Sequence, residues 1–387
     1  MIRFVLAFCI AFLAATPQAF AQRARSEQNV VFVMMDGLRW QEVFRGADPE
    51  LAANPEYMKS AWAASARARF VDAADRRAAL MPFLHEVIEQ QGVLIGDRDH
   101  GSCAGVTNDR WFSYPGYNEA LTGRADARIN SNDYPPNPNV TFLEWLNRRP
   151  GFAGKVRAAG SWDAFGRIIN AERSGVPVNA GFASDGGGDP AMRMLDALQA
   201  DTAHQWDIVR WDSFTHQYAL AGLRRHHPRA MFISYGETDD FAHEGDYAQY
   251  LISANRNDRF VRELWTALQA DRFYAGRTTL ILTVDHGRGN VAGDSWRHHY
   301  SPAALREGTS PLRERYPDGI PGSDQTWMAA LGPSISARAA DPYAGRACAG
   351  LDQLAATALT ALGQDWRAFN AEAGIPLNIF RAHANHQ

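Results

Sequence analysis

Along the chain, short unbroken apolar runs alternate with longer segments whose apolar positions recur every three or four residues. The runs at 29–35 (NVVFVMM), 230–235 (AMFISY) and 278–284 (TTLILTV) have the continuous character of strands covered on both faces, and 327–331 (WMAAL) is a weaker copy. Helical periodicity occupies 81–91, 141–147, 247–269 and 351–362. This alternation predicts an α/β fold: a doubly wound, mostly parallel central sheet with helices on both faces. Such sheets bind ligands beyond the carboxyl ends of their strands, so the chemistry is expected just after each run. Between 162 and 210 the pattern thins into loop signals, among them Gly186-Gly187-Gly188 and Asp189-Pro190, followed by a helical stretch. That segment is a candidate cap over the strand ends.

Residues 1–21 read as a secretory signal peptide: Met-Ile-Arg, an apolar core from Phe4 to Ala15, and Ala19-Phe20-Ala21 before Gln22. The expectation is one catalytic domain over 22–387, periplasmic or secreted, with no membrane span after cleavage. Composition adds little to this picture. Of 387 residues 46% are hydrophobic, which is ordinary for a globular chain. Thirty-nine basic against 43 acidic residues give a net charge of -4, without a basic block, so no nucleic-acid polymer is expected as partner. Beyond the leader only Cys103 and Cys348 remain. They either pair in an oxidising compartment or stand as separate buried thiols.

The positions after the apolar runs hold Asp36, then Glu237-Thr238-Asp239, then Asp285-His286, with His243 four residues past Asp239 and His298-His299 further on. Carboxylates and imidazoles together suit Zn²⁺, with Mn²⁺ as a competitor. In a helix with Asp239 near its first turn, the spacing of four puts Asp239 and His243 on one face. Asp285 and His286 are adjacent, so they can share an ion only where the strand has ended, and Gly287 fits such an exit. Singly, each piece has a plainer reading: Asp36-Gly37 as a capping turn, Asp239 and His243 as a surface pair, the late histidines as solvated. Asp285-His286 resists it, because two ionisable groups after an apolar run are costly to bury unpaired.

Candidates for a nucleophile sit in Asn108–Glu119, where Ser113 taken alone could also be an ordinary turn serine. A short helix at 116–121 would leave Ser113 just outside its N-terminus, where free backbone N–H groups favour an anion. No base adjoins Ser113 in the sequence, and coordination of its oxygen to a metal ion would replace one.

With these pieces in order, Asp36 in MMDGLRW, Ser113 in FSYPGY, Asp239 and His243 in ETDDFAH, Asp285-His286 in TVDHG and a late histidine in WRHHY, the sequence resembles the alkaline phosphatase superfamily, within it the nucleotide pyrophosphatase/phosphodiesterase branch. The resemblance implies two divalent metal ions, zinc above manganese. One would be held by Asp36, Asp285, His286 and Ser113, the other by Asp239, His243 and His299, which local pattern favours over His298. It also implies an asparagine near the phosphoryl group, for which Asn132 is the candidate with Asn130 close behind. The branch usually has threonine where Ser113 stands, and sulfatases of the superfamily have an arginine where Tyr117 stands. The function implied is an exported, metal-dependent phosphomonoesterase or phosphodiesterase of small-molecule esters, working through a phosphoserine. The alternatives are a sulfatase or phospho-group transferase of the same superfamily, and a non-catalytic, metal-stabilised binding protein. Arg39, Arg110, Arg124 and Arg288 are candidates to meet extra phosphate charge, and Trp111, Phe112 and Tyr114 to line a slot for a second ester group.

Overall fold

The computed structural model describes residues 28–291, 293–337 and 341–381; the expected signal peptide lies outside them. Ten strands occur among these residues: β1 Asn29–Met35, β2 Val93–Ile95, β3 Ala104–Gly105, β4 Val156–Gly160, β5 Val178–Ala180, β6 Ala230–Tyr235, β7 Thr278–Thr283, β8 Gln325–Thr326, β9 Met328–Leu331 and β10 Ala349–Gly350. Seven form one sheet in the order β2-β9-β7-β1-β6-β4-β5. The pairs β7–β1, β1–β6, β6–β4 and β4–β5 are parallel, while β9 runs antiparallel to both its neighbours. The 327–331 run is therefore a strand, but not a copy of the parallel ones.

Side chains of β1 alternate between two cores. Val31, Val33 and Met35 enter the apolar cluster on one face, and Val30, Phe32 and Met34 the cluster on the other. Five helices cover the sheet or reach its rim: α1 Ser113–Thr122, α2 Asp212–His226, α3 Glu237–Glu244, α4 Tyr247–Ala270 and α5 Leu354–Ala361. Helices α2 and α4 cover the first face, with Leu223, Tyr250, Leu251 and Leu264 buried there. Helices α1 and α5 cover the second through Tyr117, Leu121, Leu354 and Leu359. A doubly wound α/β sheet is thus what the apolar runs build, and no helix among the described residues is long and apolar enough to cross a membrane.

The remaining strands form a small sheet, β10-β3-β8, and Cys103 and Cys348 are disulfide-bonded beside it. Strand β8 continues through Trp327 into β9 of the large sheet. Of the 162–210 segment, β5 forms the edge of the large sheet and Pro190–Asp201 is helical, while Trp206 donates from Nε1 to Glu244 at 2.8 Å, one residue past His243.

Candidate metal centre

Strands β1, β6 and β7 are parallel neighbours, so their carboxyl ends share one rim, and Asp36, Glu237–Asp239 and Asp285-His286 follow directly from them. The turn after β1 needs glycine: Gly37 has φ +60°, and a Cβ there would stand 2.5 Å from Asp239 Oδ1. Helix α1 reaches the rim because Gly116 lies against the β7 exit, where a Cβ would meet the Asp285 carbonyl oxygen at 2.1 Å.

At the centre stands His286 Nε2. It is 3.4 Å from Asp36 Oδ1, 3.4 Å from Asp285 Oδ2, 3.3 Å from Ser113 Oγ and 3.7 Å from Asp239 Oδ1. Tetrahedral zinc with bonds of about 2.0–2.1 Å separates its ligand atoms by roughly 3.3 Å, so the first three spacings fit one ion. Asp36 Oδ1 and Asp285 Oδ2 are buried without a hydrogen-bond partner, a costly arrangement that a cation would offset. Beside it, His243 Nε2 is 3.2 Å from Asp239 Oδ2 and 3.0 Å from His299 Nε2, which lies 3.8 Å from Asp239 Oδ1. The ligand-type atoms of Asp239, His243 and His299 all fall within 4.8 Å of one another, as do those of Asp36, Asp239 and His286. Both donor sets fit divalent ions.

The ring nitrogens facing away fix which atoms face in. His286 Nδ1 is 2.8 Å from the Gly287 carbonyl, and His299 Nδ1 is 3.2 Å from that of Trp111. A carbonyl only accepts, so these Nδ1 atoms carry hydrogen, and in the neutral ring each Nε2 keeps its lone pair for a cation in the cluster. Burial, then repulsion from Asp239, raises the pKa of Asp36, and burial with repulsion from Asp36 raises that of Asp285 well above the usual range. Burial opposes a charged His286, yet Asp285, Asp36 and Asp239 outweigh it and raise its pKa to about 9. Both directions express one demand for positive charge among the carboxylates.

The sequence-derived residues come together with few exceptions. Asp36, Ser113, Asp239, His243, Asp285, His286 and His299 form the cluster, whereas His298 turns to Asp294, 3.8 Å away. Ser113 opens α1 instead of preceding a helix at 116–121. The expected row of free N–H groups is shortened there: Tyr114 N donates to Asn132 Oδ1 at 3.0 Å, and Pro115 has no donor. Ser113 Oγ adjoins His286 Nε2, the same atom that Asp36 and Asp285 surround, which places the serine oxygen among the ligand-type atoms. Of the arginine candidates, Arg39 is buried against Glu42, Arg124 pairs with Glu372, and Arg288 pairs with Asp239. Despite its burial Asp239 is held well below the usual carboxylate range by Arg288 and His243. Arg110 lines a cavity of about 410 Å³ with Phe112 and Asn132, whereas the Tyr114 ring is buried and its hydroxyl donates to Pro135. Sequence reading missed Tyr117, whose hydroxyl is 2.9 Å from Asp36 Oδ2 and 2.7 Å from Ser234 Oγ. Its spacing of four from Ser113 was the available signal.

No family model and no curated protein matches the sequence. Solved structures do match. The alkaline phosphatase PafA aligns with a TM-score of 0.57 at 10% identity, over 91% of this chain and 98% of that one. A 2-O GAG sulfatase aligns at 0.51 and 12%, over 90% and 73%. Murine ectonucleotide pyrophosphatase/phosphodiesterase 5, in an inactive form in complex with AMP, aligns at 0.50 and 13%, over 87% and 96%. The protein therefore has the α/β fold of the alkaline phosphatase superfamily.

Proposed function

We propose that the protein is an exported, metal-dependent phosphoester hydrolase of the nucleotide pyrophosphatase/phosphodiesterase-like branch, with Ser113 as nucleophile. The observation that carries this reading is the grouping of Ser113 Oγ, Asp36 Oδ1 and Asp285 Oδ2 at 3.3–3.4 Å around His286 Nε2, the two carboxylate oxygens having no other partner. Asp36, Asp285, His286 and Ser113 would hold one divalent ion, and Asp239, His243 and His299 a second; zinc suits both donor sets, with manganese the competitor. Bound there, such ions lower the pKa of the serine hydroxyl and offset charge on the ester oxygens.

The chain's own groups do the rest. Ser113 Oγ forms a bond to phosphorus as the bond to the alcohol oxygen breaks, leaving a phosphoserine that water hydrolyses. Tyr117, kept protonated by burial and by Asp36, orients that carboxylate by donating to it. Asn132, pinned through Oδ1 to Tyr114 N, stands beside the nucleophile to contact the phosphoryl oxygens. Where sulfatases carry arginine this chain has Tyr117, engaged with Asp36 and Ser234, which weakens the sulfatase reading.

The mature protein should hydrolyse p-nitrophenyl phosphate or its bis ester, lose this on chelation and regain it with zinc. Ser113→Ala should lower kcat by at least about a thousandfold while zinc content stays near that of wild type. Near-normal turnover by that variant would remove Ser113 from the role, and preference for p-nitrophenyl sulfate would move the reading to a sulfatase.

A further inference from the structure

The cavity beside Ser113 carries information about the substrate that the metal cluster does not. Its walls continue directly from the site: Phe112 precedes the nucleophile, Tyr300 follows His299, and Asn132 is bonded to Tyr114 N. Ser113 does not itself line this space of about 410 Å³, but an ester on Ser113 whose alcohol portion extends past Phe112 and Asn132 would enter it.

The lining is mixed in hydrogen-bonding type and poor in net positive charge. Arg110 is buried and donates from Nη1 to Glu307 Oε2 at 2.5 Å, while its Nε, 3.3 Å from Asp109 Oδ1, makes no hydrogen bond. With Asp133 and Glu307 also lining the space, carboxylates outnumber the single cation. A second phosphate or a carboxylate on the ligand would meet like charge here, so an anionic alcohol portion is disfavoured. Asn130 and the Asn132 amide nitrogen have no side-chain hydrogen bond to other described residues. Together with Asp133 and Glu307 they offer both donors and acceptors to a ligand carrying several hydroxyls. The aromatic part is not a slot for a flat base: the Phe112 and Tyr300 rings are 5.7 Å apart at centroids but tilted by 58°, giving one apolar wall and not two parallel faces.

We propose that the alcohol portion of the substrate is a neutral polyol without a flat base, such as a hexose ring, seated in this cavity with its hydroxyls on Asn130, Asp133 and Glu307 and an apolar face on Phe112. The inference rests on the reading of Ser113 as a phosphoester nucleophile, and the experiment separates the two. Zinc-loaded wild type is assayed with p-nitrophenyl phosphate, glucose 6-phosphate and adenosine 5′-monophosphate. The expected result is a kcat/KM for the sugar ester at least about tenfold above that for the nucleotide, the worth of one or two well-made hydrogen bonds. In the Asn130→Ala/Asp133→Ala double variant that ratio should fall to within about threefold, mostly through KM. Equal or better use of the nucleotide, or a ratio the double variant leaves intact, overturns the polyol assignment while p-nitrophenyl phosphate turnover keeps the hydrolase reading. If no ester is turned over, the hydrolase reading fails, and calorimetric binding to the zinc-loaded protein decides the cavity by itself. Glucose 6-phosphate binding tighter than inorganic phosphate supports it, and no gain over inorganic phosphate overturns it.

Discussion

His216 shows how one side chain outside the metal centre ties the fold to pH. It is buried on α2 with its ring stacked on Phe260 of α4, Nδ1 3.0 Å from the Tyr235 hydroxyl and Nε2 2.9 Å from Glu263 Oε2. Burial lowers its pKa from 6.5 to about 4, against the pull of Glu263. Between these values the unfolded chain binds a proton that the folded one refuses, so stability is fully present above pH 6.5 and is lost progressively down to pH 4. A shift of this size is worth on the order of 3 kcal/mol at full titration. Thermal unfolding followed across that window should show a falling Tm in the wild type and a shallower slope in His216→Gln. Parallel slopes would mean that other groups carry the acid sensitivity.

Among the elements, legibility followed burial. Strands β1, β6 and β7 could be read from sequence because each is wholly buried and mostly apolar, with only Asn29, Ser234 and the β7 threonines as polar positions. β4 (VRAAG) and β5 (VNA) could not, since small residues and a polar one blur the run, and β2 (VLI) has only three residues. Of the seven cluster residues, Asp36, Asp285 and His286 follow readable strands and Asp239 and His243 repeat at helical spacing, whereas Ser113 rested on a helix-start signal and His299 on the family resemblance. The start of α1 was not legible, because the Asn132 contact to Tyr114 N is tertiary, and a first turn tolerates Pro115, which lacks only a donor the helix does not use there. Gly116 is the element-scale test of how α1 is held. A methyl group 2.1 Å from the Asp285 carbonyl must push helix and strand end apart. Gly116→Ala should cost roughly 1–3 kcal/mol in unfolding free energy. It should also cut turnover at least about tenfold, because ångström-scale misplacement of a nucleophile is that expensive. Wild-type Tm and turnover together would mean that the helix shifts along another direction without moving Ser113.

For the whole molecule, the disulfide joins distant parts of the chain. Cys103 and Cys348 are 245 residues apart in sequence, and the segment between them includes Ser113 and every candidate metal ligand except Asp36. A crosslink closing so long a loop restricts the unfolded chain strongly, which is worth a few kcal/mol when the native geometry accepts it. Its structural reach is nevertheless local: it fastens β3 to β10, and β3 pairs with β8. From β8 the chain passes through Trp327 into β9, beside β7 with Asp285 and His286 at its end. Trp327 is fully buried, and its indole donates to the Leu38 carbonyl at 3.0 Å, two residues past Asp36, so this link is rigid on both sides. A crosslink that acts on the unfolded chain, with the site held by the large sheet's own packing, separates stability from activity. Replacing both cysteines by serine should lower Tm by several degrees while leaving kcat at 25 °C within about twofold. Reductant should reproduce the drop in the wild type and have no effect on the double variant. A loss of turnover matching the loss of stability would instead show that the small sheet positions the β7 exit, with Asp285 and His286 depending on the crosslink for their place.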